Sequence, residues 1–370
     1  MLFSMNVQDL LDGLNVVTRA LSARPSKQIL EGVLLDAGED SITLLCTDGS
    51  LSIETVLTAQ IKEPGQVVLP GKLFTEIVRK LPGGEVTIKV NENHSASIRC
   101  MSFKSNLAGM NAVDFPAMAS IEDGARFDFP QNKLRDMISH VVFAIATESR
   151  QILTGCLLEI AAGESRLVAL DGFRLAMQKM QSSFTLPQGT DHVSTVIPGR
   201  VLSELGKVLL DEETPCTLTI GKGHLQANFG NTCLHTVTLA GEYIDYRKIL
   251  PSSSQTLAKV SRSSLQDAID RASLMAREGK NNLVRLNISE GNMQISSNAE
   301  MGDVVEDIAC DLQGEPIEIA FNAKYISDVI RNITDDSMCM RFNSNVSPCV
   351  VCPPEGDDYL YLILPVRIFQ

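Results

Sequence analysis

NVQDLLDGLNVVTRALS, from Asn6 to Ser22, is one of three versions of a single theme. QNKLRDMISHVVFAIA follows at Gln131–Ala146, and SRSSLQDAIDRASLMAR at Ser261–Arg277. Aligned, their apolar positions coincide as Leu10, Leu14 and Val17, then Leu134, Ile138 and Val141, then Leu265, Ile269 and Ala272. That i, i+4, i+7 spacing is the buried stripe of an amphipathic helix. A second element recurs as VLPGKLFTEIVRKL from Val68, VIPGRVLSELGKVL from Val196 and IAFNAKYISDVIRNI from Ile319. Each runs from an apolar strand end into a helix, with Lys72, Arg200 and Lys324 at the same repeat position. The period, roughly the size of a small domain, is too long for a solenoid. Three like domains predict an extended, pseudo-symmetric object, a plan that one catalytic cleft does not require.

Between the helices the sequence alternates in short strands. The stretch from Ile29 to Leu57 matches that from Ile152 to Met180, with Asp48-Gly49 and Asp171-Gly172 at the same place. Asp-Gly between alternating segments is a hairpin signal. The third copy, Asn282 to Cys310, is looser but keeps the rhythm. Each repeat therefore reads helix, three strands, helix, more strands. The expectation is an α+β domain with antiparallel sheet and two helices on one face. Pro, Ser and Gly at Asp114–Gly124 and Asp245–Gln255 place boundaries that give domains 1–126, 127–254 and 255–370.

The 370 residues are 44% hydrophobic with a mean hydropathy of +0.07, enough for several cores. Trp is absent and aromatics are 5%, so those cores are aliphatic. A net charge of −13 argues at first against nucleic acid. Its distribution reverses that reading. The repeated helix segments and their flanks hold roughly half of the 32 Lys and Arg but about a quarter of the 45 Asp and Glu. Good helix formers with solvated ends are the plain explanation. The sharper one is an anion-facing helical surface on a chain that repels anions elsewhere.

Nine scattered Cys in apolar contexts point to a reducing compartment, and neither a signal peptide nor a membrane span is visible, so a cytosolic location is expected. Catalytic signals are poor. The glycines of LPGGEVTIKV stand before a strand, so no phosphate loop forms there. There is no G-x-S-x-G and no H-E-x-x-H. His94, His140, His192, His224 and His235 do not cluster. Cys349-x-x-Cys352 lacks a second pair, and SPCVVCPP reads as a strand entering a turn. No catalytic residue, metal site or cofactor is expected. The apolar C-terminal YLYLILPVRIFQ is unusual for a chain end and must pair, pack or help form a binding surface.

With these residues in view, the sequence resembles the bacterial sliding-clamp family, the beta subunit of DNA polymerase III. The resemblance spans the chain through ARPSKQIL, ESRQILTG, LDGFRLA, VIPGRVLSEL, IDYRKILP, FNAKYISDVI and LILPVR, in order. It implies the DNA-clamp fold, closed by a head-to-tail homodimer into a ring whose helices face duplex DNA. It implies a non-catalytic processivity factor that binds DNA without sequence specificity. The implied partners are the catalytic subunit of DNA polymerase III, the clamp loader and other replication and repair proteins. The expected DNA-facing residues are Arg24, Lys72, Arg79, Lys133, Arg150, Arg200, Lys207 and Lys324. Arg24 and Arg150 match basic positions that touch DNA in the family, while Thr147, Gln151 and Ile152 replace its neighbouring Gln and Tyr contacts.

Family partners insert a Gln-x-x-Leu-Phe motif into a pocket between the second and third domains. The matching positions are Leu153, Leu170, Gly172, Phe173, Arg174, Leu175, Ile244, Lys248, Ile249, Leu362, Pro365, Val366 and Arg367, with Asn322 and Tyr325 nearby. Leu170, Phe173 and Ile244 stand where the family commonly has Thr, His and Pro, so a greasier pocket is expected. The dimer contact is assigned to Leu107, Leu274 and Met275, with Phe103 compensating for Ser105 where a Phe is usual. The alternative is a clamp-fold paralogue with altered partner specificity.

Overall fold

The computed structural model describes residues 1–22, 25–148 and 151–367. Six α-helices form among them: α1 (Val7–Val17), α2 (Gly71–Arg79), α3 (Gln131–Ser139), α4 (Gly199–Val208), α5 (Arg262–Glu278) and α6 (Ala323–Arg331). All lie in the predicted segments. Asn6 starts α1 by accepting the Gln8 amide at 2.8 Å, and Asn322 starts α6 by accepting the Lys324 amide at 3.0 Å. These side chains satisfy donors that a helix start leaves unpaired. The predicted stripes are inside: Leu10, Leu14, Val17, Leu265, Ile269 and Ala272 are fully buried, and Leu134 and Ile138 nearly so.

The chain forms two compact units. The first comprises Met1–Arg135 and Glu204–Thr238. It holds a five-stranded antiparallel sheet in the order Gln60–Glu63, Leu2–Asn6, Glu85–Val90, Ser95–Cys100, Phe103–Ala108. It also holds an eight-stranded sheet: Ala125–Pro130, Pro215–Gly221, His224–Phe229, Thr232–Val237, Leu51–Thr58, Ser41–Thr47, Gly32–Ala37, Gly65–Pro70. At its centre the Leu234–Ile53 register joins strands of the first and second repeats.

The second unit comprises Asp136–Ser203 and the chain from Leu239 on. Its sheet has twelve strands: His192–Pro198, Gly155–Ala161, Glu164–Leu170, Arg174–Gln181, Tyr359–Ile363, Cys349–Cys352, Ser337–Phe342, Thr256–Ser261, Gly302–Gln313, Gly291–Ala299, Leu283–Ser289, Ile317–Asn322. The C-terminal strand pairs on both sides, with Arg174–Gln181 and with Cys349–Cys352. The apolar chain end is therefore an interior strand that joins the second and third repeats in one ladder.

The Asp-Gly hairpins form as read. Gly49 and Gly172 take φ of 94° and 95°, a region side chains avoid. Asp48 accepts the amides of Ser50 and Leu51, and Asp171 those of Phe173 and Arg174, all within 3.0 Å. The second hairpin carries Phe173 and Arg174.

Candidate functional site

Two sets of residues stand out, and the first is cationic. Among the described residues, α2, α3, α4 and α6 each carry two Lys or Arg against one carboxylate. Helix α5 is balanced, and α1 carries only Asp9 and Asp12. The expected contacts Lys72, Arg79, Lys133, Arg200, Lys207 and Lys324 are all exposed. Arg24 and Arg150 lie outside the described residues.

Lys72, Arg200 and Lys324 each occupy the second residue of their helix. A helix start carries partial positive charge and unpaired amide hydrogens, so a cation there costs about 0.3–1 kcal/mol. Three repeats break the same local rule at the same place, and rule-breaking of this kind marks sites whose use lies outside stability. An anion beside the helix start would meet both the side chain and the free amides.

Neighbouring carboxylates grade these cations. Arg79 pairs with Glu76 and donates to Asn15 at 2.9 Å. Lys207 lies 2.8 Å from Glu204, which also holds Arg19 at 2.9 Å. Burial pushes the Glu204 carboxyl up, but Lys207 and Arg19 outweigh it and hold it below its ordinary range. A phosphate must compete with Glu204 for Lys207. Lys72, Lys133 and Lys324 have no carboxylate within 4.0 Å among the described residues, so their charge is available.

The second set is apolar and lies in the second unit. One face of the twelve-stranded sheet carries a continuous row: Leu170, Leu175, Leu362, Val350, Arg341, Leu257. Two residues along, a parallel row runs Val196, Leu157, Val168, Met177, Leu360. Together they make a floor, with Leu153 packed onto it. Over it crosses the segment from Tyr243 to Leu250, with Ile244 half-buried. Tyr243 donates to the carbonyls of Gly155 and Val168 at 3.4 and 3.3 Å. Tyr246, 1% exposed, donates to Glu159 at 2.6 Å, and the Arg247 guanidinium grips that carboxylate at 2.9 and 3.0 Å.

A column of rings and one guanidinium closes the other side. Phe173, 56% exposed, stacks on Tyr325 at 5.4 Å. The Arg174 guanidinium lies 4.9 Å from the Tyr325 ring and 5.3 Å from that of Phe143. Arg174 is 7% exposed yet well satisfied, donating to Asp171 (3.0 Å), Asp328 (2.6 Å) and the Phe143 carbonyl (2.7 Å). Burial pushes the Tyr325 hydroxyl up, Asp171 and Asp328 add to that, and Arg174 opposes it. The chain end is pinned here: the Leu364 amide donates to the Phe173 carbonyl at 2.9 Å and that of Val366 to Ala320 at 2.8 Å.

The structure thus brings Leu153, Leu170, Leu175, Ile244 and Leu362 into one cluster and places Gly172, Phe173, Arg174 and Tyr325 at one hairpin column. Lys248 and Ile249 stand exposed on the crossing segment, and Pro365, Val366 and Arg367 follow the pinned tail. Asn322 is turned elsewhere, capping α6 and bonding the Asn281 carbonyl at 3.3 Å. Arg174 is an internal brace more than an open polar contact. Sequence reasoning missed Met177, Val350, Leu360 and Leu250. The unbroken apolar runs CVVC and YLYL mark these strands as buried, but only register assigns their faces. A cavity of about 120 Å³ lies beside Leu250, Pro251, Arg341, Pro348, Val350 and Leu360.

The residues assigned to a dimer contact fall in different surroundings. Phe103 is half-buried and Leu107 7% exposed, on a strand that pairs on one side only. Leu274 is 65% exposed on α5. Met275 lies near Gly302, its Cε 3.6 Å from where a Cβ there would stand. The stretch Gly302–Ala309 also has one open edge, because Thr256–Ser261 pairs only with Cys310–Gln313 beyond it. No group of three or more metal-ligating side chains occurs among the described residues. No helix there is long and apolar enough to cross a membrane.

Family models of the DNA polymerase III beta subunit match at residues 1–119 (N-terminal domain), 128–245 (central domain) and 247–367 (C-terminal domain). A beta sliding clamp of Bacillus subtilis is 32% identical over 381 residues, covering all of both chains. One of Staphylococcus aureus is 31% identical over 96% of each. The crystal structure of the Bacillus subtilis DNA polymerase sliding clamp superposes with a TM-score of 0.94 at 32% identity over both whole chains. That of the Thermotoga maritima DNA polymerase III beta subunit gives 0.93 at 26%, again over both whole chains.

Proposed function

Because this chain belongs to the DNA polymerase III beta-subunit family and is a DNA sliding clamp, a non-catalytic processivity factor, we infer how it holds DNA and how it holds its partners. The paralogue reading is not favoured, since full-length likeness to clamps carries through all three domain models. We assign the domains as 1–126, 127–254 and 255–370. Two chains join head to tail into a ring around duplex DNA, at the replication fork in the cytoplasm. Two open edges support that closure: Phe103–Ala108, with Lys104, and Gly302–Ala309, with Asp303, Glu306 and Asp307. An unpaired edge invites another strand, and opposite charge selects which.

The observation that carries DNA holding is the cation at the second residue of α2, α4 and α6, repeated in a chain of net charge −13. Phosphate contacts from these side chains carry no sequence information and exchange with salt ions, so the ring stays on by topology and slides. Base readout has no part in it. The apolar floor beside Phe173 and Tyr325 takes a short partner motif with adjacent Leu and Phe side chains, as presented by the polymerase catalytic subunit, the clamp loader and repair proteins. Burying two such side chains gives roughly 3–6 kcal/mol before ordering costs, so micromolar docking, at about 8 kcal/mol, also draws on hydrogen bonds to the motif's backbone.

The test is retention after loading onto closed circular DNA, compared with the same DNA linearised. Retention on circles and loss from linear ends is expected. Equal retention on both forms overturns the topological reading. For docking, a labelled Gln-Leu-Ser-Leu-Phe peptide should bind at micromolar concentration, and a Leu/Phe-to-Ala control should not.

A further inference from the structure

All nine cysteines are free thiols, and two of them face each other. In the second unit, Cys339 on Ser337–Phe342 stands directly opposite Cys352 on the antiparallel strand Cys349–Cys352. Each is 6% exposed. The ladder's parity is fixed next door, where the Arg262 amide donates to the Asp336 carbonyl at 2.9 Å. Counting from there, Met338 and Met340 turn their backbone groups toward Thr256–Ser261, and Cys339 turns its own toward Cys352. A hydrogen-bonded antiparallel pair sets its Cα atoms about 5.5 Å apart. A disulfide spans roughly 4.4–6.8 Å between Cα atoms, so no strand has to part for one to form. Cys349 does not compete, because three residues along a strand reverse the face.

We propose that Cys339 and Cys352 are a reversible thiol–disulfide site at the edge of the docking floor. A thiolate of one cysteine attacks a low-molecular-weight disulfide and releases one small thiol. The second cysteine's thiolate attacks the mixed disulfide at the protein sulfur and releases the other. Two protein S–H groups lose two protons and two electrons, and the external disulfide takes up both and leaves as two thiols. Burial pushes both thiols up, with Arg341 and Lys259 drawing Cys339 partly back, so the exchange is slow at neutral pH. In a reducing cytosol the pair rests as thiols and responds only when the thiol pool is oxidised.

The neighbours give the bond a consequence. Two residues along the same face from Cys339 and Cys352 lie Arg341 and Val350, which are paired with each other and line the cavity of about 120 Å³. Closing the bond draws the two Cβ atoms from about 5 Å to about 3.8 Å and adds twist to the ladder at that wall.

The experiment incubates the full-length protein with glutathione disulfide and glutathione at graded ratios, then alkylates, digests and maps by mass spectrometry. A Cys339–Cys352 cross-link, reversed by dithiothreitol and formed equally in Cys349→Ser, is expected. Recovery of both as alkylated thiols at the most oxidising ratio, or a bond to another cysteine, overturns the proposal. A second arm rests on the docking reading: the oxidised protein should bind the Gln-Leu-Ser-Leu-Phe peptide about threefold or more weakly than the reduced one. Equal affinity overturns the coupling to the floor. The mass readout uses no peptide, so a failed docking reading and a failed disulfide are told apart.

Discussion

Arg174 shows how far one residue can be read from sequence. Its position in LDGFRLA puts it among the expected pocket residues, and in the structure it lies against the Tyr325 ring. Its work differs from the expectation, because three of its nitrogens are spent on Asp171, Asp328 and a carbonyl. No local pattern foretells a partner 154 residues away. Arg174→Ala should cost about 3–5 kcal/mol by leaving two carboxylates unpaired, measurable by urea denaturation. Phe173→Ala, at an exposed position, should leave stability within about 0.5 kcal/mol and act on peptide affinity. His235 carries the pH dependence. It is 5% exposed and stacked on His224 at 5.1 Å, and its Nε2 has no partner among the described residues. Burial, then His224, lowers its pKa in the folded chain. The unfolded chain therefore binds the proton more readily. The stability is present above the unfolded value of about 6.5 and is lost as pH falls through the lower folded value. Thermal melts between pH 7 and pH 5 should fall further for the natural chain than for His235→Gln.

At the scale of elements, the apolar stripes of the helices and the Asp-Gly hairpins were legible because each is a local periodicity or a local turn preference. What stayed hidden was which face each strand turns, since register is set by partners far along the chain. The repeats also share a device that alignment alone does not explain. Gly32 and Gly155 occupy the same repeat position, and a Cβ there would collide with Val68 Cγ1 or meet Val196 Cγ1 at 2.7 Å. Each glycine lets the strand that leads into α2 or α4 lie close alongside. Gly155→Ala should cost about 1–3 kcal/mol by overpacking, read from the denaturation midpoint. The helices yield a test by salt. Lys72→Ala or Lys324→Ala removes two cations from a two-chain ring and should reduce the slope of log affinity for duplex DNA against log salt by up to about 1.8 each. Lys207→Ala should do less, because Glu204 already holds that charge.

For the whole molecule, the three-repeat plan and the clamp fold were legible from the repeats and the resemblance. The division into two compact units was not, since no sequence signal marks it. Its cuts fall inside α3, between Arg135 and Asp136, inside α4, between Ser203 and Glu204, and after Thr238. The middle repeat gives strands Ala125–Pro130 and Pro215–Val237 to one sheet and His192–Pro198 and Gly155–Gln181 to the other. What is one module in the sequence is thus two half-modules in the fold. Amide hydrogen exchange should resolve two protected blocks, 1–135 with 204–238 and the remainder, and three blocks matching the repeats would contradict this. The same division governs grafting between relatives. A chimera joined at residue 127 or 255 transplants a repeat but severs the Leu234–Ile53 and Leu175–Leu362 registers, pairing strands that never evolved together. A chimera joined within α3, within α4 and again after Thr238 carries each ladder over whole, and two of its three crossovers lie inside the middle repeat and away from its ends.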